Sequence, residues 1–321
     1  MKLVIQQLDK DNKFWYICKD MKSIGYYLIK GITRPLAILP LGFHRAAGRF
    51  VGWFAGSVIG YRKDVVITNL SRSFPDKSYE EIKDICKKFY RHFGNIVAEA
   101  MWYGGGSIGR VRKSHIVEIE NIDTINRAYK ENGSVFVLMG HVGNWELIAG
   151  YVNYAYGTPL SADENDLSVV YRKVSSRAWD EFMNGNRLCH IIDKKHYDGV
   201  VETFNIMRYI FNHKSDKKIY SFITDQYPYA RTDKTPKITF LGRETYTMDG
   251  AAAIARKMKL PVLYMGMPQT AEGGYKMRFK VITEDASSMD AADIMQRFYD
   301  LLEADLKEQP WNYLWTHKRW K

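Results

Sequence analysis

The sequence predicts an α/β fold, on two observations. Short apolar runs of strand length, SVFVLM (134–139), KIYSFIT (217–223) and LPVLYMGM (260–267), are near-continuous, as in strands covered on both faces. Between them lie stretches of helical length and pattern, at 121–132, 175–184, 199–212 and 248–259, so strands alternate with helices around a largely buried sheet. At roughly 150 residues per domain, 321 residues allow one large domain or two small ones. No internal repeat divides the chain, which reads as one α/β domain over 61–321 behind an N-terminal helical segment over 1–60.

The elements follow in order. Residues 1–20 carry charges throughout and have no uninterrupted apolar core before a small-residue cleavage site, so no secretory signal is predicted and the active domain is expected to face the cytoplasm. From Gly25 to Tyr61 the chain is rich in Leu, Ile, Phe, Trp and Gly, yet it contains Lys30, Arg34, Arg45 and Arg49. Each of these cations costs about 2.5–3.5 kcal/mol at a bilayer centre, and no apolar run reaches the roughly 18–20 residues of a spanning helix. The pattern suits helices lying in the membrane interface, with basic stems snorkelling to phosphates. A helical hairpin packed on the core and a tilted single span are the alternatives.

Over 73–101, Ser78 and Glu81 form a capping box, and Ile82, Ile85, Phe89, Phe93, Ile96 and Val97 recur at helical spacing, predicting an amphipathic helix. Gly104-Gly105-Gly106 has no strand before it and no Lys-Ser/Thr after it, so it reads as a linker and not a phosphate loop. YKMRFKVI (275–282) alternates and reads as an edge or hairpin strand. The last helix, AADIMQRFYDLLEADLKEQ, leads into an aromatic, basic tail in which Trp311, Trp315, Trp320, His317, Lys318 and Arg319 form either a core seam or a phosphate-facing edge.

Composition narrows the function. Cys18, Cys86 and Cys189 are odd in number and widely spaced, so neither a disulfide framework nor a zinc site is predicted, and a reducing compartment fits. The formal charge of +11 points to an anionic partner: nucleic acid, a phospholipid surface or an acidic carrier protein. A nucleic-acid binder would carry a reader motif, and none of the RNP, zinc-finger or helix-turn-helix patterns is present. The G-x-S-x-G elbow of a serine hydrolase is missing too.

Chemistry concentrates where the first strand ends, in GHVGNWE (140–146). On one ideal helix His141 and Glu146 would point about 140° apart. If the strand stops near Met139 and Asn144 caps a new helix, His141 sits on the turn and Glu146, in the first helical turn, folds back toward the imidazole. A carboxylate on one ring nitrogen would fix the tautomer and leave the other a general base for a hydroxyl, with helix N-terminal amides nearby for an oxyanion. By spacing alone, a His after a strand is more often an ordinary turn residue than a catalyst.

GHVGNWE resembles the H-x4-D/E block of the glycerolipid acyltransferase superfamily, in the G-H-x-G-N-W-E form of the lipid A late acyltransferases, the lauroyl and myristoyl transferases. ITNLSRSFPDKSYEE, through Asn69 and Pro75, is similar to that family's N-L-x-x-x-F-P signature. Tyr171-Arg172, Asp225-Gln226, the Phe240, Gly242 and Thr247 block, and LWTHKRWK resemble further family blocks, in family order from about residue 60 to the C-terminus. The resemblance implies a glycerolipid-acyltransferase-like central mixed sheet flanked by helices, with a membrane-associating N-terminal segment. It implies transfer of a fatty acyl chain from acyl carrier protein to a hydroxyl of an anionic lipid acceptor at the bacterial inner membrane, with no metal and no bound organic cofactor. His141 would be the base and Glu146 its orienting partner. Arg172 would hold an acceptor phosphate or the oxyanion, and Asn144, Asp225, Gln226 and Gly242 would shape the substrate site, although turn capping is an equal role for Asp225. The same chemistry on an aminoacyl lipid, a phosphatidylinositol mannoside or a lysophospholipid is the alternative.

Overall fold

The computed structural model describes residues 22–230, 232, 233 and 235–320; Cys18 and the charged first twenty residues lie outside them. Seven strands form the central sheet: β1 (Val117–Ile119), β2 (Val135–Met139), β3 (Leu167–Tyr171), β4 (Val200–Glu202), β5 (Ile219–Ile223), β8 (Val262–Gly266) and β9 (Tyr275–Thr283), in the order β1-β9-β8-β2-β5-β3-β4. Every pairing is parallel except β8 with β9. All five residues of β2 and of β8 are buried, as expected for central parallel strands covered on both faces. β9 is therefore a hairpin partner of β8 and not an edge, because the three-residue β1 covers its outer side. A separate hairpin, β6 (Lys237–Phe240) and β7 (Arg243–Tyr246), turns on Leu241 and Gly242, both at positive φ, the geometry of a two-residue type I′ turn.

The helical part begins with α1 (Ile24–Leu36), α2 (Leu41–Trp53), a wider π turn at Phe54–Ile59, α3 (Lys63–Ser73) and α4 (Tyr79–Gly105). The predicted capping box starts α4: Ser78 Oγ accepts from the Glu81 amide, and the Glu81 carboxylate accepts from the Ser78 amide at 2.8 Å. The glycine triplet is not a linker. α4 runs through Gly105, and these residues have no side chain because others occupy the space: a Cβ on Gly104 would meet the Asn186 amide and one on Gly105 the Ala37 methyl.

α2 lies along α4 through Gly48 and Gly52, four residues apart, against the backbone of Gly94 and Tyr90, and Gly56 in the π turn faces the Tyr90 ring. Main chain touches main chain, so added side-chain volume has nowhere to go. Away from α4 the surface is exposed and apolar: Phe43, Phe50 and Val51 on α2 and Phe54 in the π turn, with Ile24, Tyr27, Leu28 and Ile32 on α1. No helix of the described residues is long and apolar enough to cross a membrane.

The remaining helices are α5 (Ile108–Ser114), α6 (Ile122–Asn132), α7 (Arg177–Arg187), α8 (Ile206–Asn212), α9 (Gly250–Met258) and α10 (Ala291–Glu308). The tail after α10 is a core seam. Trp315 and Arg319 are fully buried, Phe240 stacks on Trp320 at 5.5 Å, and Asn69 donates to the carbonyls of Trp315 and His317 at 3.0 and 2.9 Å. The Asn69 and Phe240 blocks, distant in sequence, thus hold the terminal residues down.

Gly94→Ala should therefore lower stability by about 1–3 kcal/mol through overpacking. Gly31→Ala, whose Cβ meets nothing within 4 Å on helical α1, should leave the melting midpoint unchanged or slightly raised. Thermal unfolding of the two variants beside the parent protein makes the comparison.

Candidate active site

Strand β2 ends at Met139, and its register partner on β5 is Ile223. Two residues further along each chain stand His141 and Asp225, brought side by side at the carboxyl edge of the sheet. His141 Nδ1 lies 2.6 Å from Asp225 Oδ1; the imidazole is 17% exposed and the carboxylate 2%. Burial by itself would raise the Asp225 carboxyl, but the charge of the His141 ring and the hydrogen bonds to it and to main-chain amides outweigh that and hold it below the usual carboxylate range. It is an anion at neutral pH. In the neutral imidazole the ring nitrogen facing this anion carries the hydrogen, which leaves Nε2 with the lone pair. The Trp145 ring packs edge-on against the imidazole at 5.1 Å.

Glu146 does not hold His141. It lies in the first turn of a 3-10 helix, Trp145–Asn153, and its carboxylate binds Arg187 of α7 through both oxygens at 3.0 and 3.1 Å. The expected fold-back is pre-empted by a permanent cation at one side of Glu146 and by a nearer carboxylate at His141. Asn144 makes no side-chain cap. It is fully buried and its amide donates to Glu99 Oε2 at 3.0 Å and to the Ile96 carbonyl, so it anchors the turn from beneath.

The other expected site residues divide in two. Gln226, next to Asp225, brings its amide within 3.3 Å of His141 Nε2. Arg172, just past β3, is exposed and stacks on the Tyr229 ring, 3.2 Å from the centroid. Gly242 is the second residue of the β6–β7 turn, and open space surrounds the position of its missing Cβ. Its conformation accounts for it without a ligand.

The turn itself is held on every side. Gly143 adopts φ +58°, and a Cβ there would run into Met267, so no other residue fits. Its amide donates to Asn312 Oδ1 at 2.7 Å, and the Leu314 amide donates to the His141 carbonyl at 3.1 Å. Below lies Glu99 of α4, fully buried, accepting from Asn144, from the Tyr275 hydroxyl at 2.8 Å and from Arg45 Nε at 2.7 Å. Burial pushes the Glu99 carboxyl above its ordinary value despite these partners. Glu99, Arg45, Asn312 and Arg187 escape a reading by motif. One signal existed for Glu99: it falls three residues after Ile96, on the apolar stripe of its helix, where an acid needs a partner.

Residues 16–321 match the family described as bacterial lipid A biosynthesis acyltransferase. The chain belongs to that family. It is 22% identical over 282 residues to a lipid A biosynthesis palmitoleoyltransferase of Escherichia coli (strain K12), covering 85% of this chain and 83% of the relative. The same figures relate it to a lipid A biosynthesis acyltransferase of Shigella flexneri. The protein is accordingly an acyltransferase, with the mixed α/β sheet expected of the resemblance.

Arg45→Met strands the Glu99 carboxylate in a dry site and should destabilise the protein by about 3–5 kcal/mol. In the double variant Arg45→Met/Glu99→Gln part of that loss should return, since no charge is left unpaired. With Glu99→Gln measured as well by denaturant unfolding, a loss in the double variant equal to the sum of the two single losses would show that the two groups are not coupled.

Proposed function

We propose that this protein moves a fatty acyl chain from the thioester of acyl carrier protein to a hydroxyl of a lipid A precursor, with His141 as general base. The observation that carries the reading is the 2.6 Å pair of His141 Nδ1 with a buried, ionised Asp225, at the partly exposed carboxyl edge of a parallel sheet. The acceptor O–H gives its proton to Nε2 while the oxygen attacks the thioester carbonyl carbon. The tetrahedral intermediate collapses with cleavage of the C–S bond, and the imidazolium returns the proton to the departing thiolate. Asp225 keeps the hydrogen on Nδ1 and stabilises the imidazolium. No metal and no bound organic cofactor takes part; acyl carrier protein enters as co-substrate.

Glu146 belongs to the same site by a different route. Its carboxylate fixes Arg187, whose guanidinium also lies over the Tyr171 ring at 5.2 Å, beside Arg172. Arg172 is the group for an acceptor phosphate, since a planar, permanently charged fork suits that geometry.

A membrane location follows from the same chemistry. With about 0.8 kcal/mol per buried methylene, a chain of a dozen carbons resists entering water by on the order of 10 kcal/mol. The exposed apolar face of α1 and α2, with Lys30 and Arg34 along it, is suited to lie in the cytoplasmic leaflet of the bacterial inner membrane. A cavity of about 260 Å³ between α1, the end of α4 and α7 brings Lys30, Arg34 and Lys194 together and would suit anionic headgroups.

Purified protein in lipid nanodiscs, given acyl carrier proteins loaded with C12 to C16 chains and a lipid A precursor, should yield a product heavier by one acyl group in mass spectrometry. Transfer to a lysophospholipid or aminoacyl lipid instead would redirect the acceptor assignment. His141→Ala should lower turnover about a hundredfold or more, and Asp225→Asn on the order of a thousandfold. Nitrogen-15 NMR of the imidazole separates the carboxylates: Asp225→Asn should change the His141 tautomer and Glu146→Gln should not. The reverse pattern would restore Glu146 as the partner of His141.

A further inference from the structure

His141 Nε2, the nitrogen that must take the proton, faces the side-chain amide of Gln226 at 3.3 Å. With the Nδ1 hydrogen committed to Asp225, Nε2 presents a lone pair, and only the NH2 end of an amide complements it. Tyr229 fixes the amide that way round, because its hydroxyl donates to Gln226 Oε1 at 3.1 Å. The same ring carries the Arg172 guanidinium, 3.2 Å from its centroid. One exposed phenol thus holds two polar groups, one against the base and one facing solvent. At 62% exposure Tyr229 adds nothing to the hydrophobic core, so core packing does not account for it.

We infer that Tyr229 is a positioning residue for acyl transfer. Its hydroxyl orients Gln226 over His141 Nε2, and its ring orients Arg172 toward the anionic group of the acceptor. An unsupported arginine on the surface samples many rotamers and loses that freedom when it binds; stacked on an aromatic face it is already ordered. The Gln226 amide occupies the place the acceptor hydroxyl will take. When the hydroxyl arrives, the amide hydrogen moves from the lone pair of Nε2 to the hydroxyl oxygen, and there it stabilises the negative charge that develops as the proton passes to the ring. Neither Tyr229 nor Gln226 gains or loses a covalent bond in the step. The inference rests on the roles proposed above for His141 and Arg172.

Two variants separate the two functions of the side chain. Tyr229→Phe keeps the ring and should lower kcat about fivefold with the acceptor KM unchanged. Tyr229→Leu removes the ring as well and should add about a fivefold rise in that KM. A third readout needs no turnover: diethyl pyrocarbonate modifies unprotonated imidazole nitrogens, and its attack on His141 in substrate-free protein can be read by peptide mass spectrometry. His196, bonded to Asp193 on the surface and 69% exposed, supplies the reference rate. With the amide no longer pinned over Nε2, the ratio of His141 to His196 modification should rise at least threefold in Tyr229→Phe. A ratio equal to that of the parent protein would overturn the inference. A raised ratio in a protein that acylates no lipid acceptor would overturn the reaction and leave the placement of Gln226 by Tyr229 standing.

Discussion

Met139 and Ile223 are register partners on parallel strands, and the two chains leave the sheet at the same level. His141 and Asp225 each follow two residues later, so the backbone ladder sets their separation, and the 2.6 Å contact requires no long flexible side chain to find its partner. A slip of one residue between β2 and β5 would turn one of the two to the opposite face. The fully buried β2, paired on both sides by β5 and β8, makes such a slip costly. The candidate site is in this sense an output of sheet register, and the surrounding structure serves to keep the two chain ends from relaxing after they leave the ladder.

That task falls to groups far apart in sequence. The tail after α10 contributes Asn312 and Leu314 to the turn, and α4 contributes Glu99 from below. Glu99 is an expensive choice on its own, since a carboxylate without water needs several strong donors. It has three, one of them Arg45 on α2, which also donates to the carbonyl of Gly273. The consequence is mechanical: the N-terminal helical pair, the last hairpin of the sheet and the His141 turn meet at one buried charge. Glycines at 48, 52 and 94 let α2 approach closely enough for Arg45 to reach it.

These long-range ties mark the boundary of what the sequence discloses. The buried strands β2, β5 and β8 and the long helix α4 were legible because their apolar patterns are local. β1 and β4 have three residues each, too few to show a pattern, and β4 falls inside the stretch 199–212 that reads as helical. β3 is as long as β2, but its apolar run is interrupted by Ser168. Spacing identified His141 and directed attention to Glu146, five residues away, as its partner. The true neighbour of the imidazole is 84 residues distant and is selected by strand pairing, a property of two segments that neither segment displays alone. Asp225 and Gln226 were visible as a block resembling a family, with no geometry to say which of them faced which ring nitrogen.

The positive charge of the N-terminal segment divides in the same way. Lys30, Arg34, Arg45 and Arg49 look equivalent in sequence, four cations among large apolar residues. In the fold Arg34 and Arg49 are exposed and Lys30 is half-buried beside Tyr26, whereas Arg45 turns inward to a carboxylate. Three of the four are therefore free to meet anionic headgroups at the proposed membrane face, and the fourth supports the site. At about 1 kcal/mol per cation near an anionic surface, electrostatic attraction from this segment is modest beside what its exposed Phe, Trp, Leu and Ile side chains would contribute on burial. Binding through this face should accordingly depend more on apolar insertion than on charge, and salt should weaken it only in part.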